Sequence, residues 1–134
     1  MTPISIVKVA KTIQYYLDSA TGQPVSVGMR RAGSATPAVV WEMTSAECSI
    51  ILRGHVGQSW IVGCEVQIYG DDALGVLGVA DSLISFFDAT PITPGTLTPL
   101  TLTGLSVSMR TESQADGSEG DERVCTLSFT FQGD

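Results

Sequence analysis

The sequence has few of the features that would commit it to a nucleic acid or a membrane. Only 7 of its 134 residues are lysine or arginine, against 14 aspartate and glutamate residues, so the formal net charge is −7. The cations are scattered, and no basic stripe is present to neutralise a phosphate backbone. We therefore expect no sequence-specific nucleic-acid binding. No apolar run approaches the length of a membrane span, so no membrane association is expected either.

The chain also has little of what an enzyme needs. Its single histidine, His55, lies in a turn-like segment, and its 3 cysteines are widely spaced with no Cys-x-x-Cys pair. The cysteines are therefore interpreted as small core residues in a reducing compartment, not as zinc ligands. The glycine-rich phosphate loops and the Gly-x-Ser-x-Gly elbow are absent. The sequence predicts no catalytic residues, no metal and no cofactor, and we expect that the protein is not an enzyme.

The hydrophobic pattern that is present changes period once, between Trp60 and Phe87. Apolar residues first alternate as in a strand with one buried face, at Trp60, Val62, Cys64, Val66 and Ile68. Glu65 and Gln67 are expected on the opposite face. A helical stripe follows, made of Ala73, Val76, Leu77, Ala80, Leu83, Ile84 and Phe87. Asp71 or Asp72 is predicted to cap this helix, an interpretation preferred to a catalytic or metal-binding carboxylate pair.

The remaining segments complete a two-layer arrangement. A first helix is predicted over residues 3–18, and strands are predicted from Ala38 to Leu52, 60–69, 105–109 and 125–131. A parity shift near Thr44–Ser45 indicates either a bulge or two separate strands. Residues 1–134 are expected to form a single α+β domain, with a mainly antiparallel four-stranded sheet and two helices packed on one face.

This order of segments resembles the tail-terminator proteins of long-tailed bacteriophages, also called tail-completion or head–tail joining proteins. The matching pieces are residues 29–32, 37–41, 64–73, 79–83 and 122–131. The resemblance implies a structural virion protein, made in the host cytoplasm and located at the tail–neck junction. It further implies a homo-oligomeric ring, most often a hexamer, that caps the tail tube and joins it to the head connector or stopper protein. DNA would pass through its channel.

Two segments are candidates for contacts within such a ring. Arg30 and Arg31 lie in a loop bounded by glycine and proline, where they could bind carboxylates of an adjacent subunit, or could form only a solvated turn. The segment 112–122 is predicted to be a mobile acidic hairpin tip that lines the channel, docks a neighbour or is simply solvated. Its carboxylates are Glu112, Asp116, Glu119, Asp121 and Glu122.

Other functions remain open on the sequence. A tail-tube subunit or another neck protein could share the same outline of segments. A small ligand-binding α+β module, with an apolar pocket between sheet and helices, is a further alternative. A small hydrolase that uses Asp71, Asp72 or His55 is the enzymatic one.

Overall fold

The computed structural model describes residues 6–22, 25–28, 38–50, 58–93, 99–113 and 121–133. For residues 48–50, 58–59, 112–113 and 121 it describes the backbone only. The elements, in chain order, are α1 (Ile6–Thr21), β1 (Ser26–Val27), β2 (Ala38–Ile50), β3 (Gln58–Gly70), α2 (Ala73–Ala89), β4 (Thr101–Ser113) and β5 (Asp121–Gly133). The predicted alternation of helix, strands, helix and closing hairpin is confirmed.

The described strands form one sheet, with a single layer of helices over one face. The strand order is β1-β2-β3-β5-β4, so the sheet has five strands and not the four predicted. The additional strand, β1, has only 2 residues and pairs with β2 in parallel, whereas the other neighbours are antiparallel. The sequence indicates that a short strand can start in the segment 24–27, but two residues give too short an alternation for it to be counted among the main strands. The predicted two-layer α+β class is confirmed.

The strand register follows the predicted alternation. Val66 and Ile68 are fully buried in the core, and Glu65 and Gln67 lie half-buried on the other face. β2 is one continuous strand whose register shifts between Met43 and Ser45, so the bulge interpretation is correct. A Cβ atom on Gly63 would lie 2.7 Å from the Ser45 Oγ, which explains why glycine faces the bulge.

The end of α1 and the start of α2 are each explained by the residue next to the helix. α1 continues to Thr21, beyond the predicted end at residue 18, and Gly22 follows with a φ of 71°. Asp72 is the N-cap of α2, where its carboxylate accepts hydrogen bonds from the backbone N–H groups of Leu74 and Gly75. The predicted start of α1 at residue 3 lies outside the described residues.

The predicted stripe of α2 is correct except at Leu77, which is 40% exposed although it was expected in the core. Two glycines, Gly75 and Gly78, lie within α2. In the described chain a Cβ on Gly78 would meet no heavy atom within 4 Å, and one on Gly75 would meet only the cap residue Asp72. Among the described elements, none packs closely enough against α2 to require these glycines.

The core fills the space between the helices and the inner face of the sheet. Phe87 of α2 packs against Phe129 and Phe131 of β5, with ring centroids 5.3 and 5.4 Å apart. Ile92 and Leu100 are fully buried and exchange two backbone hydrogen bonds, of 2.8 and 2.7 Å. The proline-rich connection 90–99, predicted to have little regular structure, therefore has both of its flanks fixed in the core.

A polar network attaches α1 to the β1–β2 side of the sheet. The indole Nε1–H of Trp41 donates to the Gln14 Oε1. The Gln14 Nε2 donates to the Val25 carbonyl at 2.8 Å and to the Asp18 Oδ1 at 2.9 Å, and the Val25 N–H donates to the same Asp18 oxygen at 2.8 Å. Gln14 and Asp18 of α1 are thus bonded to Val25 and Trp41, and these bonds fix the position of the helix over this edge.

Candidate functional surfaces

The face of the sheet that the helices leave uncovered is polar. One row of paired residues crosses it from Glu42 through Glu65 and Ser128 to Ser106. Along β3, the Tyr69 hydroxyl donates to Gln67 at 2.7 Å, and the Gln67 amide donates to Glu65 at 3.0 Å. This polar face, defined by these residues and their neighbours on alternate positions, presents hydroxyl and carboxylate oxygens.

A shallow hollow lies at the β1–β2 side of the polar face. Its lining residues are Gly28, Val40, Trp41, Glu42, Glu65 and Gln67. The cavity volume is only about 20 Å³, and the hollow is open to solvent. Ligand pockets usually measure roughly 300–1,000 Å³, so this hollow does not resemble one.

The acidic segment is shorter than the sequence suggested, because both strands extend into it. β4 continues to Ser113 and β5 begins at Asp121, with Glu112 paired to Glu122 in the register. Glu122 is only 5% exposed, so it belongs to the strand end and not to a mobile tip. Glu112 and Asp121 are likewise in strands, and their side chains lie outside the description.

Other predicted contact residues lie outside the described part of the chain. Arg30 and Arg31 fall in the gap 29–37, and Asp116 and Glu119 fall in the gap 114–120. His55 lies in the gap 51–57. Their roles therefore stay predictions.

The two cysteines whose side chains are described behave as core residues. Cys64 is 2% and Cys125 is 0% exposed, and both are free thiols. Burial raises the pKa of the Cys64 thiol to about 12 and also raises the pKa of Cys125. Because the thiolate is the nucleophile and the metal ligand, both groups are held in the unreactive form. The side chain of Cys48 lies outside the description.

An apolar surface at the β4 edge was missed in the sequence. Leu105, Val107 and Met109 point to the same face as the core residues of β5, yet they are 41%, 48% and 41% exposed. On α2, Leu77 is 40% and Leu74 is 78% exposed. We call these five residues the apolar margin. The alternation of apolar residues on β4 indicates that one face of the strand is apolar. It does not indicate that this face is exposed.

A metal centre would need a cluster of ligating side chains among the described residues, and a membrane span would need a long apolar helix. Among those residues, no group of three or more histidine, cysteine, aspartate or glutamate side chains is placed to hold a metal ion. In the same part of the chain, neither helix has the length and apolar character required to cross a bilayer.

The fold is shared with solved structures at low sequence identity. No protein-family model matches the chain, and no curated protein is significantly similar to it. One solved structure, whose name states no activity, is 15% identical and has a TM-score of 0.63 over 98% of this chain and 97% of its own. A second is a chain from the virion of a native gene transfer agent particle. It is 12% identical, with a TM-score of 0.54 over 93% of this chain and 90% of its own. At these identities the likeness shows the fold.

Proposed function

We propose that the protein is a structural component of a phage-type virion. In this proposal it forms a ring, most simply a hexamer, that caps the tail tube and joins it to the head connector. The observation that carries the proposal is the fold likeness to a chain of a gene transfer agent virion, which extends over 93% of this chain and 90% of the other. A match over most of both chains fits a shared architecture better than a shared local motif. The proposal assigns no catalytic activity to the protein.

The polar face supports a location beside moving DNA. Glu42 is exposed there and Glu65 is half-exposed, whereas Arg110 donates from its Nη1 to the Thr126 hydroxyl at 3.1 Å. Carboxylates repel the phosphate backbone, and the described residues of this face include no cluster of cations that could hold phosphates. DNA could therefore pass this face without being retained.

The decisive experiment is a reconstruction of the complete particle, combined with deletion of the gene. We expect several copies in one closed ring at the head-proximal end of the tail. Deletion should leave full heads and tails that do not join, and re-expression of the protein should restore joining. A single copy, or no copy, in the particle would contradict the proposal.

The same reconstruction separates the virion alternatives. Copies repeated along the tail would indicate a tail-tube subunit, and a ring in the connector would indicate another neck protein. Both alternatives fit the gene transfer agent match as well, because its name specifies the particle and not the location of the chain.

The roles predicted for the acidic segment 112–122 and for Arg30 and Arg31 can be tested in the same particle. Reversal of Asp116, Glu119 and Asp121 to lysine should slow DNA ejection if the hairpin lines the channel, and should impair head–tail joining if it docks a neighbour. Replacement of Arg30 and Arg31 by alanine should weaken assembly, more strongly at low salt. Normal joining, ejection and salt response in these variants would assign both segments to solvent.

A further inference from the structure

We propose that successive copies of this chain contact each other head-to-tail, with the outer face of α1 of one copy seated on the apolar margin of the next. This inference rests on the proposed ring and identifies the surfaces that would form it. The apolar margin and the outer face of α1 lie toward opposite edges of the domain. Two different surfaces on opposite sides are what a heterologous, ring-forming contact requires.

The acceptor surface lies between α2 and the edge strand β4. α2 carries a second stripe beside its buried one, with a spacing of three and four residues. Its members are Leu74, Leu77, Asp81, Ile84 and Asp88. This stripe lies opposite Phe86, whose ring contacts Tyr16 of α1 at 5.9 Å, so it faces away from α1 and toward β4.

On the other side of the acceptor surface, β4 contributes its three half-exposed apolar side chains. β4 is the last strand of the sheet in the order β1-β2-β3-β5-β4. Leu105, Val107 and Met109 extend the core-facing surface of β5 outward past the helix layer. Apolar residues grouped at an uncovered sheet edge are typical of an interaction surface.

The donor surface is the exposed flank of α1. Val7, Lys11 and Tyr15 are spaced by four residues and form one row, in which Val7 is 61% and Tyr15 is 67% exposed. Val7 and Lys11 also continue the stripe of Gln14 and Asp18, which bind Val25 next to β1. Val7 and Lys11 therefore lie toward the β1 edge, at the far side from β4, whereas the Tyr15 ring packs against Tyr16 at 6.1 Å.

The charges of the two surfaces are complementary. The described part of α1 exposes Lys8 and Lys11, and its one acidic residue, Asp18, is hydrogen-bonded to Val25. α2 exposes Asp81 and Asp88 and contains no lysine or arginine. An apolar row flanked by lysines thus matches an apolar margin flanked by aspartates. This complementarity selects a second copy of the chain as the occupant, because it fixes register and excludes like-charged pairings.

A charge exchange tests the pairing directly. One variant carries Lys8→Glu and Lys11→Glu, and the other carries Asp81→Lys and Asp88→Lys. Each variant alone places like charges across every contact, so we expect assembly about tenfold weaker or more. In an equal mixture every contact between unlike copies regains opposite charges, so assembly should return with the two variants alternating. Native mass spectrometry measures the composition of the rings.

The controls separate this contact from the ring itself. The variant Glu42→Lys/Glu47→Lys carries the same change in charge as Asp81→Lys/Asp88→Lys, on exposed residues of β2. Its rings should form without a partner variant, whatever its effect on the passage of DNA. In wild-type particles a zero-length cross-linker should join Lys11 of one copy to Asp81 or Asp88 of another.

Four outcomes would overturn the contact. Rings without this cross-link, or charge variants that assemble alone, would overturn it and leave the proposed function standing. A mixture that fails to assemble, with both variants folded by circular dichroism, would overturn it as well. Absence of any oligomer, both in solution and in the particle, would remove the contact and the proposed ring together.

Discussion

The hydrogen bonds of Gln14 offer the sharpest test of how α1 is held on the sheet. We predict that Gln14→Ala destabilises the protein although Gln14 is only half-buried. The substitution removes the acceptor of the Trp41 indole N–H and the side-chain donor to the Val25 carbonyl. Both partners are buried, because Trp41 is 3% and Val25 is 6% exposed.

The expected magnitude follows from the cost of unpaired polar groups. A buried donor or acceptor left without a partner costs about 1–3 kcal/mol. With two such groups partly relieved by relaxation and water, the free energy of unfolding should fall by about 2–4 kcal/mol. For a domain of this size, that corresponds to a decrease in Tm of roughly 8–16 °C.

The assay is urea denaturation followed by tryptophan fluorescence, with thermal unfolding by circular dichroism as a second measurement. Gln14→Glu should be intermediate, since it keeps an acceptor for Trp41 but loses the donor to Val25 and places a carboxylate near Asp18. Ser19→Ala, at an exposed position of the same helix, should change the free energy of unfolding by less than about 0.5 kcal/mol. A Gln14→Ala protein as stable as the Ser19→Ala control would show that this network does not hold α1.

Two further predictions concern β3 and the buried thiols. Val66→Asp places a carboxylate in the core and should cost roughly 3–5 kcal/mol in denaturant unfolding, whereas Glu65→Ala should cost less than about 1 kcal/mol; a larger cost for Glu65→Ala than for Val66→Asp would show the opposite register. Cys64 and Cys125 should not react with a thiol reagent at pH 8 in the folded protein, and rapid labelling of either, located by mass spectrometry, would contradict their burial. Since the pKa of Cys64 rises on folding from 9.0 to about 12, its contribution to stability is complete below pH 9 and is lost as the pH rises toward 12, which denaturation at graded pH measures.

Much of the fold could be predicted because period and capping are local properties. The alternation at Trp60–Ile68, the stripe of α2 and the Asp72 cap each depend on residues a few positions apart, and each is confirmed. β1 was not counted among the main strands because its pairing with β2 depends on residues 14 positions away, such as Ser26 with Val40. The burial of Ile92 and Leu100 was also missed, because it depends on contacts with distant residues. The proline and glycine residues around them indicate a loop, whether or not the segment packs into the core.

The candidate surfaces were harder to predict, because a pattern reports which face a residue occupies and not whether that face is covered. Leu127 on β5 and its partner Val107 on β4 belong to equally regular alternations and point the same way. Leu127 is 0% and Val107 is 48% exposed, since the helix layer covers the first and ends before the second. The width of that layer is set by the contact of Tyr16 with Phe86 and by the attachment of α1 at β1, neither of which is local. Identical sequence signals therefore produce a core on one strand and an uncovered apolar edge on the next. In an acidic protein, the charges that flank such an edge are what prevents it from associating unselectively.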